Sequence, residues 1–277
     1  MLRMFRYEVR RAVSSRAFAL ALTATTAISV LQFLTSGFAY GFLPIWENWR
    51  SGAGGITPPS VLNSWLGGTL SSVFSQLFYI SAPLFACLPF SWSLGDDLST
   101  GFTAVVMQRG DGPSYLRAKA GACFCAAAAV IMAPQLLNLL LTALCVPFIE
   151  PDPASGMYPV FARSAFAELF YRAPMAYVAL YLLLSGIVMG SIGVLVMAAS
   201  AALRSRAVLT VLPVVADELL YFLLFCAGLG GYAPSRAIMP AQPFVGMSGA
   251  AVVLETAALT CLASVAVLRL SRRFEVL

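Results

Sequence analysis

The chain has no histidine and a single lysine. Losing histidine removes the side chain that most often serves as a general base or metal ligand near neutral pH. The lone lysine, Lys119, follows an alanine, so no GxxxxGK[ST] phosphate loop exists and the chain is not expected to hydrolyse ATP by itself. Charge is scarce as well: 10% of the residues are charged against 60% hydrophobic, and the mean hydropathy is +0.85. That balance excludes an ordinary soluble domain. The expected fold class is an all-α integral membrane protein, a single transmembrane domain over residues 1–277.

Six apolar runs are long enough to span a bilayer: Ala17–Leu43, Leu66–Leu94, Gly121–Phe148, Pro174–Leu203, Ala207–Gly228 and Gly249–Leu268. Six spans put both termini on one side. All but four of the 17 basic residues, Arg50, Arg163, Arg172 and Arg236, fall on that side. The positive-inside rule makes it the cytoplasm. The net charge of +5 then reflects topology and anionic lipid, with no nucleic acid implied. The six cysteines all lie within the expected spans without metal-ligand spacing and read as packing residues.

From the N-terminus, residues 1–16 read as an amphipathic interfacial helix with Leu2, Phe5, Val9 and Val13 on one face and Arg3, Arg6 and Arg10 on another. A signal peptide is excluded, because the apolar run after Arg16 is about twice the length of a signal h-region. Trp46, Trp49 and Trp65 read as interface anchors. Pro83 and Pro89 predict kinks in the second span, and Gln135 and Asn138 predict hydrogen bonds between helices. The outer loop 149–173 is expected to hold an interfacial helix with Phe161, Ala165 and Leu169 on one face and Glu168–Arg172 paired at i,i+4. Gly186, Gly190 and Gly193 let another helix approach the fourth span closely, with an intrachain partner favoured over a second copy.

Asp217 and Glu218 are the least expected residues of the spans. Asp217 lies 11 residues from Arg206, about 16 Å deep, and Glu255 lies about 21 Å from the basic end of the sixth span. No Lys or Arg within the spans is available to pair them. They either line a substrate or proton path or stay protonated between helices. Gly246-Met247-Ser248-Gly249 has the form of the GxSG motif of rhomboid intramembrane proteases, but no histidine exists to activate that serine. The HExxH of zinc-dependent intramembrane proteases fails for the same reason.

The longest polar interruption on the cytoplasmic side runs from Gly95 to Ala120. It opens with Asp96-Asp97, where Asp97 or Ser99 is placed to cap a helix. A short apolar run, Phe102–Met107, follows, then the breaker Arg109-Gly110-Asp111-Gly112-Pro113, then Ser114 as a cap for the helix carrying Tyr115, Arg117 and Lys119. A short amphipathic helix held between two spans is a lever, though an ordinary interfacial helix has the same pattern.

With its N-terminal amphipathic helix, its acidic start and small step Asp96-Asp97-Leu98-Ser99-Thr100-Gly101-Phe102, its Arg109-Gly110 turn and its Tyr115–Lys119 approach to span three, the chain resembles the membrane subunits of type-2 ABC transporters. It departs from that pattern where Phe102 stands between Gly101 and Thr103, and where Asp111 occupies a turn position that is often polar or basic. The resemblance implies two permease copies, identical or different, above two separate ATPase subunits that bind ATP and Mg. It implies a coupling helix over 98–109, with Phe102, Val105 and Val106 as knobs and Arg109 at the rim, Asp97 and Thr100 belonging to the same coupling set. An amphipathic or hydrophobic substrate would move outward across a bacterial cytoplasmic membrane, with no catalysis in this chain. A secondary transporter or proton-coupled channel built on Asp217, Glu218 and Glu255 is the alternative, and the lack of an inverted repeat counts against it.

Overall fold

A computed structural model of the chain describes residues 2–51, 59–109, 112–203, 205–242, 244 and 246–275, leaving aside the side chains of 107–109, 155 and 273–275. The described residues are helical, with no strand among them. α1 (Leu2–Val13) leads through a turn into α2 (Arg16–Gln32), which runs on through a π-helical stretch, Phe33–Phe42, into α3 (Leu43–Ser51). α4 (Val61–Ser64) and α5 (Val73–Cys87) precede two short helices, α6 (Ser93–Ser99) and α7 (Phe102–Arg109). Then come α8 (Gly112–Cys145), α9 (Ala167–Arg172), α10 (Pro174–Ala199), α11 (Arg206–Cys226), α12 (Pro234–Ala237) and α13 (Gly249–Glu275).

Among the described residues, five helices are long and apolar enough to cross a membrane: Arg16–Ser51, α8, α10, α11 and α13. The expected second span is not one helix. Residues 65–72 are irregular, α5 has 15 residues, and a turn at 88–92 separates it from α6. Fifteen residues rise about 22 Å, short of the roughly 30 Å hydrocarbon core. Gly67 and Gly68 loosen the near end, and Pro89 sits in the turn at the far end. The irregular backbone is satisfied inside the bundle, where the Leu66 N–H donates to Asn138 Oδ1 at 2.7 Å. The segment still runs from end to end: α4 takes a bond from Val61 N–H to Pro147 O at one end, and α6 contacts α1 at the other.

α8 is the central helix. Its deepest polar residues tie three elements together: Asn138 donates to Ser29 O (2.8 Å) and Gln32 Oε1 (2.6 Å), and Gln135 donates to Ser185 Oγ (3.2 Å). Pro134 has no N–H for the carbonyl of Val130, and the Thr25 hydroxyl of α2 donates to that oxygen instead at 3.1 Å. The glycines of α10 meet α8: a Cβ at Gly190 would lie 2.6 Å from the Phe124 ring, and one at Gly193 would lie 3.0 Å from Ala127. The small-residue face is thus used within the chain.

Several expectations change. Trp46 and Trp49 are exposed, but Trp65 is 1% exposed and belongs to the core. The helix expected in the outer loop shrinks to α9, so Phe161 and Ala165 precede it, with Phe166 at φ 57° just before its start. The Glu168–Arg172 pair forms at 3.0 Å with both partners exposed, where such a contact adds little. α1 buries Glu8 and Ala12 and leaves Leu2 and Val13 exposed, because ionic partners on neighbouring elements turn it. Cys87 and Cys123 are buried, whereas Cys125, Cys226 and Cys261 are exposed on helix exteriors, so packing explains only part of the set.

Candidate functional site

The polar centre of the molecule lies at its basic end, where α1, α6, α7 and the start of α8 meet. Asp97 sits inside α6 and is 2% exposed. Its carboxylate accepts Arg11 Nη1 at 2.9 Å and Nη2 at 2.7 Å, a bidentate pair reaching 86 residues back in the chain. The Tyr115 hydroxyl and the Lys119 ammonium, one turn apart on α8, donate to the same carboxylate. Lys119 is fully buried and lies 3.6 Å from Glu8, itself 1% exposed. The Phe90 ring backs Lys119 at 5.0 Å and Arg11 at 5.9 Å, and Phe102 lies 5.7 Å from Arg11. Two acids and two cations thus share one apolar enclosure, formally neutral.

Their environments push the two acids apart. Burial pushes Asp97 upward, but the Arg11 hydrogen bonds and the Lys119 charge outweigh it and hold the carboxyl below its ordinary range. Burial also raises Glu8, and Lys119 and Arg11 only partly offset that. The Asp97 hydrogen bonds in turn raise Arg11 and keep it charged. Asp97 therefore faces inward as a structural anion. Neither it nor Ser99 caps α7, since the Ser99 hydroxyl donates back to Asp96 O at 2.9 Å. Ser114 lies within the first turn of α8, and 110–111 fall outside the described residues.

The neighbouring acid looks the other way. Asp96 takes Arg206 Nε at 3.2 Å, with a second contact from Nη2, and the same guanidinium stacks over Trp92 at 4.3 Å. This tie to α11 is exposed and contributes at most about 1 kcal/mol. Gly95 adds a third: its N–H donates to Ser200 Oγ at 3.0 Å, and a Cβ there would lie 2.6 Å from the Ser200 carbonyl oxygen.

α7 is carried on this clamp. Gly101, at φ 72°, makes the turn between α6 and α7, where the left-handed backbone favours glycine. Phe102 (36%) and Val105 (48%) are exposed, Val106 packs against the core, Thr103 is buried and Thr100 is exposed. The Arg109 side chain lies outside the described residues. A groove of about 380 Å³ runs between α1 and α7, lined by Met4, Tyr7, Phe102, Val106 and Tyr115 among others. Sequence reasoning selected Asp97, Phe102, Val105 and Val106 but missed Glu8, Arg11, Tyr115 and Lys119 as partners. The available signal was the single lysine, one turn from a tyrosine in a chain otherwise basic through arginine.

The intramembrane acids form a second cluster. After α11 the chain folds back so that α12 packs against α5 and its residues reach Asp217 and Glu218 on α11. The Ser235 N–H donates to Asp217 Oδ1 at 3.2 Å. Arg236 Nη2 meets Glu218 Oε1 at 3.0 Å and Oε2 at 3.2 Å, while its guanidinium stacks on Tyr221 at 4.6 Å. No Lys or Arg within the expected spans pairs these acids, but Glu218 is not left alone: Arg236, from the segment after α11, reaches it about 12 Å, eight residues, back from the end of that helix. Asp217 is 5% exposed, and its Oδ2, together with Glu255 Oε2 and Ser235 Oγ, has no hydrogen-bond partner. Glu255 is half-buried and close enough for its charge to interact with that of Asp217. Among the described residues, no group of three His, Cys, Asp or Glu could hold a metal ion. No family model matches the chain, and neither a curated protein nor a solved structure matches it.

Proposed function

We propose that this chain is the membrane subunit of a type-2 ABC transporter, with six passes and both termini cytoplasmic. A second permease copy and two separate ATPase subunits, which bind and hydrolyse Mg-ATP, complete the complex. The substrate is amphipathic or hydrophobic and moves outward across a bacterial cytoplasmic membrane. One observation carries the reading: α7 presents Phe102 and Val105 to solvent while the adjoining α6 is fastened to α1, α8 and α11. A partner pressing on α7 would act on three elements together through these ties, most firmly through the buried Asp97 contacts to α1 and α8. Five long apolar helices support the six-pass layout, with α5 and its flanking turns supplying the remaining pass. The arginines gathered at one end support the orientation.

The test is copurification of the chain with an ABC ATPase encoded beside its gene. The expected result is a stable complex whose ATP turnover falls when Phe102→Ala and Val105→Ala are combined, each truncation removing about 1–3 kcal/mol of anchoring. An unchanged complex and unchanged turnover would remove α7 from the interface. A second reading, a proton-coupled secondary transporter, is favoured by the unpartnered, enclosed oxygens of Asp217 and Glu255. It requires transport driven by a gradient in vesicles without ATP.

A further inference from the structure

A cleft of about 350 Å³ opens between α8, α10 and α13 toward the basic end of the bundle. Its size falls in the range of small-molecule sites, about 300–1,000 Å³. Two helical rows form its walls. On α8, Arg117, Gly121 and Phe124 recur at i, i+4 and i+7, and on α13, Thr260, Ser264 and Leu268 recur at i, i+4 and i+8. The next position of the α13 row is Arg272, one turn nearer the basic end. Val194 and Val267 complete an apolar interior, and Ser191 Oγ and Thr260 Oγ1 meet at 3.1 Å between α10 and α13.

The cleft is therefore amphipathic along its length, an apolar trough with the Arg117 guanidinium on its wall and Arg272 one turn beyond Leu268 on α13. The mouth is electrostatically unbalanced. Arg117 spends one N–H on Pro113 O at 3.1 Å. Among the described residues, neither Arg117, Arg269 nor Arg272 has a carboxylate within ion-pair distance. This sets them apart from Arg11, Arg172, Arg206 and Arg236, each of which holds an acid. A second copy placed on this face about a twofold axis would bring these arginines together, like charge against like. An uncharged lipid would fill the trough and leave the guanidinium groups unmatched.

We propose that the cleft holds one anionic glycerophospholipid, its phosphate between Arg117 and Arg272 and one acyl chain lying over Gly121, Phe124, Val194 and Val267. Guanidinium forks match phosphate oxygens in a two-bond geometry, and each basic residue near an anionic leaflet adds its own attraction.

The experiment uses the full chain purified in mild detergent and exposed to phosphatidylglycerol or phosphatidylcholine of equal chain length, with bound lipid counted by native mass spectrometry. One phosphatidylglycerol per chain is expected, held at least tenfold more tightly than phosphatidylcholine. Combining Arg117→Gln with Arg272→Gln should weaken phosphatidylglycerol binding about tenfold to thirtyfold. Ser264→Trp, which fills the trough and spares both arginines, should also displace the lipid. Arg3→Gln, on α1, serves as the control for general basic charge and should change nothing. The idea fails if both lipids bind equally, if the double variant retains phosphatidylglycerol like the parent, or if the control loses as much as the double variant. Monodispersity of each variant on gel filtration separates lost lipid from lost fold.

Discussion

Replacing Asp97 with Asn tests the clamp where its strength is concentrated. The carboxylate accepts two bonds from Arg11, one from Tyr115 and one from Lys119, and only Arg11 keeps partial access to water, at 35%. An amide keeps one acceptor oxygen and turns an N–H₂ toward donors: with its oxygen in the Oδ2 position it still loses the Arg11 Nη2 bond, and in either orientation it loses the negative charge that faces Arg11 and Lys119. Lys119 then stays buried with Glu8 as its one nearby acid. Removing one partner of a buried pair costs about 3–5 kcal/mol. At about 2 °C per kcal/mol for a chain of this size, the melting midpoint of the detergent-purified protein should fall by about 6–10 °C. Lys119→Met should cost a similar amount, and the double variant should cost at least 2 kcal/mol less than the sum, because it removes both members of one pair. The pH dependence has a definite sign. The Asp97 carboxyl is held below its ordinary 3.8, so its contribution is complete above that pH and disappears as pH falls through the lower folded value. Glu8 is raised above 4.5, so its burial as an anion opposes folding increasingly as pH rises through that region. Glu8→Gln should therefore gain on the parent as pH rises above 4.5, while the deficit of Asp97→Asn should shrink below pH 3.8. A loss under 2 °C for Asp97→Asn, together with additive single variants, would refute the clamp.

Gly95→Ala should destabilise by about 1–3 kcal/mol and weaken ATPase coupling, since its Cβ would meet a backbone carbonyl at 2.6 Å that no rotamer change can move; a variant that melts like the parent would show that α6 can shift freely. Thr25→Val should cost about 0.6–1.7 kcal/mol, and that cost should largely vanish in a Pro134→Ala background, where the restored N–H serves Val130 O; equal costs in both backgrounds would count against the proline explanation. Asp217→Asn retains an oxygen for the Ser235 N–H and should leave stability within about 1 kcal/mol while lowering transport measured with the ATPase present; full transport would make Asp217 structural. Cysteines placed at Ser51 and Ser155 should react with an impermeant reagent from outside and one at Ser205 should not, labelling of Ser205 from outside being the result that removes the six-pass layout.

What could be read from the sequence was local or periodic. Apolar runs announced the long helices, the i,i+4 spacing announced Glu168–Arg172, and three small residues at helical spacing announced the close approach of α10 to α8. Gln135 and Asn138 were identifiable because polar groups in a span must find partners. The clamp was hidden because its pairings join residues 86 and 22 positions apart, and no local spacing encodes them. The return of α12 to the level of Asp217 was hidden for a different reason. The glycines and prolines around it read as an outer loop, and only the bundle gives such backbone a place to be satisfied. Trp65 misled by type, since tryptophan suits an interface as well as a core.

The two adjacent acid pairs, Asp96-Asp97 and Asp217-Glu218, make the same geometric statement with different electrostatics. Neighbours on a helix diverge by about 100°, so one member of each pair turns into the bundle and the other turns along its side. The side-facing members, Asp96 and Glu218, each take a guanidinium stacked on an aromatic ring, Arg206 over Trp92 and Arg236 over Tyr221. The inward members part company. Asp97 meets two cations and a tyrosine and becomes a fixed anion that fastens α6 to α1 and α8. Asp217 meets a backbone N–H and leaves Oδ2 with no partner. Among the described residues no cation bonds to the Asp217 carboxyl, and the neighbouring Arg236 charge and the Ser235 contact offset its burial only in part, so an amide of the same shape should cost little stability. Under the proposed transport role, Asp217→Asn is therefore expected to separate transport from folding where Asp97→Asn cannot.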